Sequence, residues 1–180
     1  MIKALITPFV ALLLGLSLCA FGQTSSASRD QIYSALAGQW TGTLEYRDFQ
    51  SNERVLLPAW LEVQPNADGK SVEFSYTYDD GPTKTVTEKS TIAIDEAGHQ
   101  FSVTSDRDKS SDHFQVEGNE QRGKRIKLTL TGSTQENHKT VDVRITVKID
   151  RNLYQFTKET RSAGQDFMFR DGYTFTRRNP

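Results

Sequence analysis

The chain has 180 residues, with 22 lysines and arginines against 23 aspartates and glutamates, a formal charge of −1, 10% aromatic residues and one cysteine. A near-neutral chain without a basic block lacks the electrostatic footprint for nucleic acid or for an anionic lipid surface. A single cysteine allows no intrachain disulfide, so the fold must rest on its core, and a domain of this size can bury one.

Lys3, the apolar stretch from Ala4 to Leu18 and the small residues of Ala20-Phe21-Gly22 have the layout of a secretory signal. The expected product is exported, periplasmic or extracellular, after cleavage near Gly22-Gln23. Residues 1–22 are then the signal peptide, 23–28 a flexible tether and 29–180 one domain. Lipid attachment at Cys19 is the weaker alternative, because Leu18 stands where a small residue is wanted. A membrane helix needs roughly 20 apolar residues, and Thr24 to Asp30 is polar and Ser-rich, so no transmembrane span is expected in the mature chain. Removing Lys3 takes the balance from 22 basic against 23 acidic residues to 21 against 23, a net of −2.

Ser28 followed three residues later by Gln31 is a capping box, and Ile32, Ala35 and Leu36 share one face before Gly38 ends the helix. Ile32, Tyr33 and Leu36 are expected to plug one end of the strand-rich remainder of the chain. From Trp40 the apolar period becomes two. Trp40, Gly42, Leu44 and Tyr46 form one face; Val55, Leu57, Ala59, Leu61 and Val63 form the next, with Trp60 pointing the other way and Pro58 marking a bulge or a local edge. Val72, Phe74, Tyr76 and Tyr78 continue the pattern. Further runs fall near Thr85–Ile94, Gln100–Thr104, Asp112–Glu117, Arg125–Thr131, Thr140–Ile149, Leu153–Thr160 and Asp166–Arg178.

Turn chemistry separates them at Asp68-Gly69, Asp80-Gly81, Glu96-Ala97-Gly98, Gly118-Asn119, Gly132-Ser133, Asp150-Arg151-Asn152 and Ser162-Ala163-Gly164. Arg122-Gly123-Lys124-Arg125 reads as a solvated turn. Thr104 to Asp112 reads as a mobile, solvated loop at the rim of an open end. About ten short strands joined in order, with no crossover helix, favour an all-β antiparallel up-and-down meander curled into a barrel, with the short helix at one end. A two-sheet sandwich needs a longer crossing connection, and none is found.

The helical turn leading into Gly38-Gln39-Trp40-Thr41-Gly42, together with the basic last strand Tyr173-Thr174-Phe175-Thr176-Arg177-Arg178, resembles the calycin superfamily of lipocalins, fatty-acid-binding proteins and nitrobindin-like barrels. The resemblance covers the mature domain and implies a lipocalin-like barrel in which an arginine of the closing strand packs on the first-strand tryptophan. Arg177 or Arg178 would make that cation–π contact with Trp40. Nitrobindin-like barrels carry a haem on a histidine near the C-terminus. His99, His113 and His138 lie elsewhere, in turns or at the start of a short strand, so no haem or other cofactor is expected. Three scattered histidines offer no metal-ligand spacing either.

Phe74, Phe101, Tyr46, Tyr76, Tyr78, Tyr154 and Tyr173 fall in register with inward apolar neighbours, as expected for a cavity that is apolar in body and polar at points. Asp48 and Arg177 share the inward phase near strand ends, as does Glu159 if a bulge adjusts its strand. Asp48 with Arg54 across the first hairpin reads as a rim ion pair, either a hairpin brace or an anion-recognising rim. No serine or cysteine is paired with a histidine at nucleophile spacing, so no catalytic residue is assigned. The function expected is an exported, monomeric binding barrel for a small apolar ligand. A filled barrel acting through its surface, with Trp60 as an anchor, is the alternative, and a barrel enzyme the third reading.

Overall fold

The computed structural model describes residues 24–48, 50–81, 83–136 and 138–178; the expected signal, its cleavage point and Cys19 lie outside them. Among the described residues one helix, α1 (Arg29–Leu36), precedes ten strands: β1 (Gly38–Arg47), β2 (Arg54–Pro65), β3 (Ser71–Asp79), β4 (Thr85–Ile94), β5 (Gln100–Ser105), β6 (Ser111–Arg122), β7 (Arg125–Glu136), β8 (Lys139–Asp150), β9 (Leu153–Arg161) and β10 (Met168–Arg177). Sequence neighbours pair antiparallel, and β1 also pairs with β10, so the sheet closes into an up-and-down barrel. Strict alternation drives the closure: in β8, Val141, Val143, Ile145, Val147 and Ile149 are buried while the residues between them face outward.

One end is sealed by α1 and the β1–β10 seam. Ser28 caps the helix, its Oγ accepting from the Gln31 N–H at 3.2 Å while the Gln31 side chain accepts from the Ser28 N–H at 2.7 Å. Ile32, Tyr33 and Leu36 are buried, and the Tyr33 hydroxyl donates to the Lys70 carbonyl while accepting from the Ile94 N–H. Trp40 is 1% exposed, and its indole N–H donates to the Leu36 carbonyl at 2.8 Å. Arg177 lies directly opposite Trp40 across the seam, with its guanidinium carbon 4.1 Å from the ring centre. The same guanidinium donates to the carbonyls of Ala35 and Ala37 at 2.7 and 2.6 Å, satisfying acceptors that the end of the helix leaves free. Arg178 is exposed and contributes its backbone N–H to the Gln39 carbonyl, so Arg177 is the inward member of the pair.

Several expectations are corrected by register. Residues expected as a flexible tether are stitched to β6: Ser25 pairs with Gln121, and the Asn119 side chain bonds both the N–H and the carbonyl of Ala27. Asn119 can do so because β6 does not turn at Gly118-Asn119; it continues through a bulge between Val116 and Gly118 that swings Asn119 opposite Leu128. Gly132 is likewise a strand residue, and a Cβ there would come 2.8 Å from Cδ1 of Phe114, its cross-strand partner. Neither glycine makes a turn, and Gly132 serves close packing. Pro58 makes no bulge; the β2–β3 ladder begins at Ala59, which leaves Pro58 at a local edge. Thr104 to Asp112 is a tight β5–β6 hairpin, in which the Asp108 carboxylate accepts from the Ser110 hydroxyl at 2.7 Å and from its N–H at 3.1 Å.

Trp40→Ala should open a void and cost about 3–5 kcal/mol. Arg177→Ala should cost about 2 kcal/mol through its lost charged hydrogen bonds, and Arg178→Ala at most about 0.5 kcal/mol. Urea melts read all three, and equal midpoints for the two arginine variants would contradict the seam. Gly42→Ala sets a Cβ 1.9 Å from the Thr174 carbonyl oxygen, whereas Gly118→Ala meets nothing closer than 3.5 Å. The first variant should lose far more stability than the second in the same melts.

Candidate functional site: an aromatic cavity

The barrel interior holds a cavity of about 850 Å³, within the range of small-molecule sites. Ile32 and Leu36 of the plug form its floor, and its walls include Phe74, Tyr76, Tyr78, Phe101, Tyr154 and Tyr173. Six of the seven residues expected to line a pocket therefore do so. Tyr46 does not: no residue of β1 reaches the cavity lining, and Tyr46 stands opposite Val55 and Asp171, within electrostatic reach of Lys84.

The cavity reaches the surface through the side of the barrel. The β4–β5 ladder runs only from Ser90 to Ile94, so β4 from Thr85 to Lys89 has no strand partner on that side. A single backbone bond, from the Asp106 N–H to the Lys89 carbonyl, crosses the gap, and Thr87, Lys89, Asp106, Arg107 and Asp108 make the outer lining. The expected rim is thus present as an ordered turn. The hydroxyl and N–H of Ser110 hold the Asp108 carboxyl down at about 2.

Within the cavity the aromatic rings form a stack. Tyr173 lies 5.1 Å from Tyr76 and 5.6 Å from Phe175, at interplanar angles of 25° and 9°. The Tyr78 and Tyr173 hydroxyls are 3.0 Å apart and share one hydrogen bond. Tyr76 and Tyr173 face the hollow and are partly buried. Burial is the leading cause that pushes the phenols of Tyr76, Tyr78, Tyr154 and Tyr173 upward, reinforced at Tyr76 and Tyr173 by their neighbours.

Besides Lys89 at the outer lining, three charged residues that line this cavity were not singled out from the sequence: Glu88, Lys158 and Asp171. Each keeps the alternation of its strand, Glu88 with Val86 and Ser90, Lys158 with Tyr154 and Phe156, and Asp171 with Tyr173 and Phe175. Burial raises the Asp171 carboxyl, opposed by Lys158 and Arg170. The Lys158 ammonium and the Arg170 guanidinium each lie 3.6 Å from Glu136, and Arg170 also donates to the Arg47 carbonyl.

Other expected site residues fall elsewhere. Asp48 lies past the end of β1, where the Ser51 and Gln50 N–H groups and the Ser51 hydroxyl hold its carboxyl below the usual carboxylate value. Arg54 bonds Glu45 at 2.7 Å and covers the Phe169 ring at 4.5 Å, so the expected Asp48–Arg54 pair is replaced by a pairing along the outer face. Glu159 faces outward to Arg144 at 2.8 Å, because the β8–β9 ladder is unbroken; the bulge lies instead in β10, between Phe169 and Asp171. His99, His113 and His138 are exposed and do not line the cavity.

Raised folded-state phenol values mean that the native barrel keeps protons which the unfolded chain releases above 10.0. Stability should therefore fall as pH climbs past that value, with these four tyrosines ionising only as the barrel opens. Phenolate absorbance and circular dichroism recorded together should change in one step. Asp171 acts in the acid range: its stability cost sets in as pH rises from 3.8 through the raised folded value. Asp171→Asn should consequently melt higher than the parent at neutral pH, with the difference vanishing below 3.8.

No family model matches the sequence, and no curated protein does. Solved structures do match. The crystal structure of Rv2717c from M. tuberculosis superposes with a TM-score of 0.61 at 13% identity, covering 86% of this chain and all of that one. The S-type phycobiliprotein lyase CPES from Guillardia theta superposes at 0.57 and 8% identity, covering 86% of this chain and 94% of its own. At these identities the likeness establishes architecture: this chain has a calycin-like barrel fold.

Proposed function

We propose that this protein is an exported barrel that holds a small, mostly apolar molecule in its tyrosine-lined cavity. The hollow interior carries this reading. A barrel of this strand number can fill itself with side chains, yet here about 850 Å³ stays open behind aromatic walls, with a plug beneath and an outlet at the side. Phe74, Tyr76, Tyr78, Phe101, Tyr154 and Tyr173 are the proposed contact residues, joined by Lys158, Asp171 and Glu88. A similar fold in a phycobiliprotein lyase supports a small-molecule role for the architecture. Among the described residues no helix is long and apolar enough to cross a membrane. The signal-like segment supports export, with the mature chain beginning at Gln23 and working as a monomer.

The surface-acting alternative keeps one observation in its favour. Leu56 and Trp60 on the outer face of β2 are 63% and 40% exposed.

Native mass spectrometry on protein purified from its own source tests both the cargo and the processing. The expected spectrum shows the chain from Gln23 onward plus a bound small molecule that is lost on denaturation. Bare chain mass under several gentle extraction conditions would refute the carrier reading, and retention of residues 1–22 would refute the export reading. Tyr76→Phe should keep the melting curve close to that of the parent while changing affinity for the recovered molecule.

A further inference from the structure

Asp171 sits on the inner face of β10 beside Tyr173, lines the cavity and is only partly exposed. Among the described residues no donor bonds its carboxylate and no cation comes within ion-pair distance. The nearby cations are engaged elsewhere: the Lys158 ammonium with Glu136 at 3.6 Å, and the Arg170 guanidinium with Glu136 and the Arg47 carbonyl. A carboxylate in such a place is costly until something supplies a donor.

The surroundings select what that donor can be. Glu88 lines the same cavity opposite Tyr76 on the neighbouring strand and adds a second acidic acceptor. Lys89 at the mouth is bonded to Glu73 at 2.7 Å, and Arg107 lies out on the exposed turn between Asp106 and Asp108. Stacked faces of Tyr76, Tyr78 and Tyr173 present the negative side of their ring quadrupoles. Carboxylates, phenols and ring faces attract the same partner, a positive or N–H-bearing group, while Lys158, the cation on the cavity wall, already faces Glu136.

We propose that the cavity takes a molecule with an apolar body and a nitrogen head group, a primary amine in the simplest case, with Asp171 as its counter-ion and Glu88 as the second acceptor. This assignment rests on the carrier reading above and narrows it to one class of ligand. The apolar body lies towards Ile32, Leu36 and Phe74 at the floor, and the head stays near Asp171 and the Tyr78–Tyr173 pair.

Titration calorimetry of the mature chain with dodecylamine, dodecanol and dodecanoate, each below its micelle threshold, separates the head-group assignment from the carrier reading. The amine should bind at least about tenfold more tightly than the carboxylate, as a buried charge gaining its partner requires, with the alcohol between them. Asp171→Asn should erase the preference for the amine and leave alcohol binding unchanged, and Glu88→Gln should reduce it in part. Dodecanoate binding as well as the amine, or Asp171→Asn weakening all three alike, would overturn the head-group assignment and leave the carrier reading standing. No binding of any of the three would overturn both.

Discussion

The contact between Trp40 and Arg177 is the constraint on which the other features depend. A meander of ten strands becomes a barrel only if its first and last strands recognise each other, and these residues are register partners at that seam. One guanidinium there covers the indole and satisfies the carbonyls of Ala35 and Ala37, while the indole N–H satisfies Leu36. Closure of the sheet and docking of the helix are therefore a single event. The glycines at the seam serve the same purpose: Gly42 has the Thr174 carbonyl where a side chain would stand, and Gly38, at a φ of 118°, leaves room for an Arg177 nitrogen.

Because that end is stitched so thoroughly, the rest of the barrel can remain hollow. Core packing concentrates around the plug, with Trp40, Phe74, Phe175, Ile32 and Leu61 fully buried. Further along, Tyr76, Val103, Phe156 and Tyr173 pack on one side and face open space on the other. A short β5 then prevents the sheet from zipping up along β4, and the hollow gains its outlet. Stability and accessibility are thus divided along the barrel axis.

Period-two alternation made the strand count, the inward set and the tyrosine walls legible in the sequence, and the Ser28–Gln31 capping box did the same for the closing helix. Glycine was where the reading slipped. A glycine demanded by a turn and one demanded by a neighbouring ring look alike in sequence, and only the register that sets Gly132 against Phe114 tells them apart. Charge partners were illegible for a related reason. Arg54 and Asp48 are neighbours in an idealised hairpin, yet in the folded one Asp48 is taken by the N–H groups of its own turn and Arg54 reaches Glu45. Asp171, Lys158 and Glu88 obey the same alternation as the tyrosines. They escaped notice because charged residues are ordinarily outside, so their inward phase should itself have been the signal.

The stitching of Ser25 and Ala27 to β6 also has a geometric consequence. The first described residues sit at the sealed base, while the outlet by Lys89 and Asp106 opens in the side of the barrel, towards the opposite rim. The start of the described chain and the doorway therefore stand apart on the barrel wall, and neither obstructs the other.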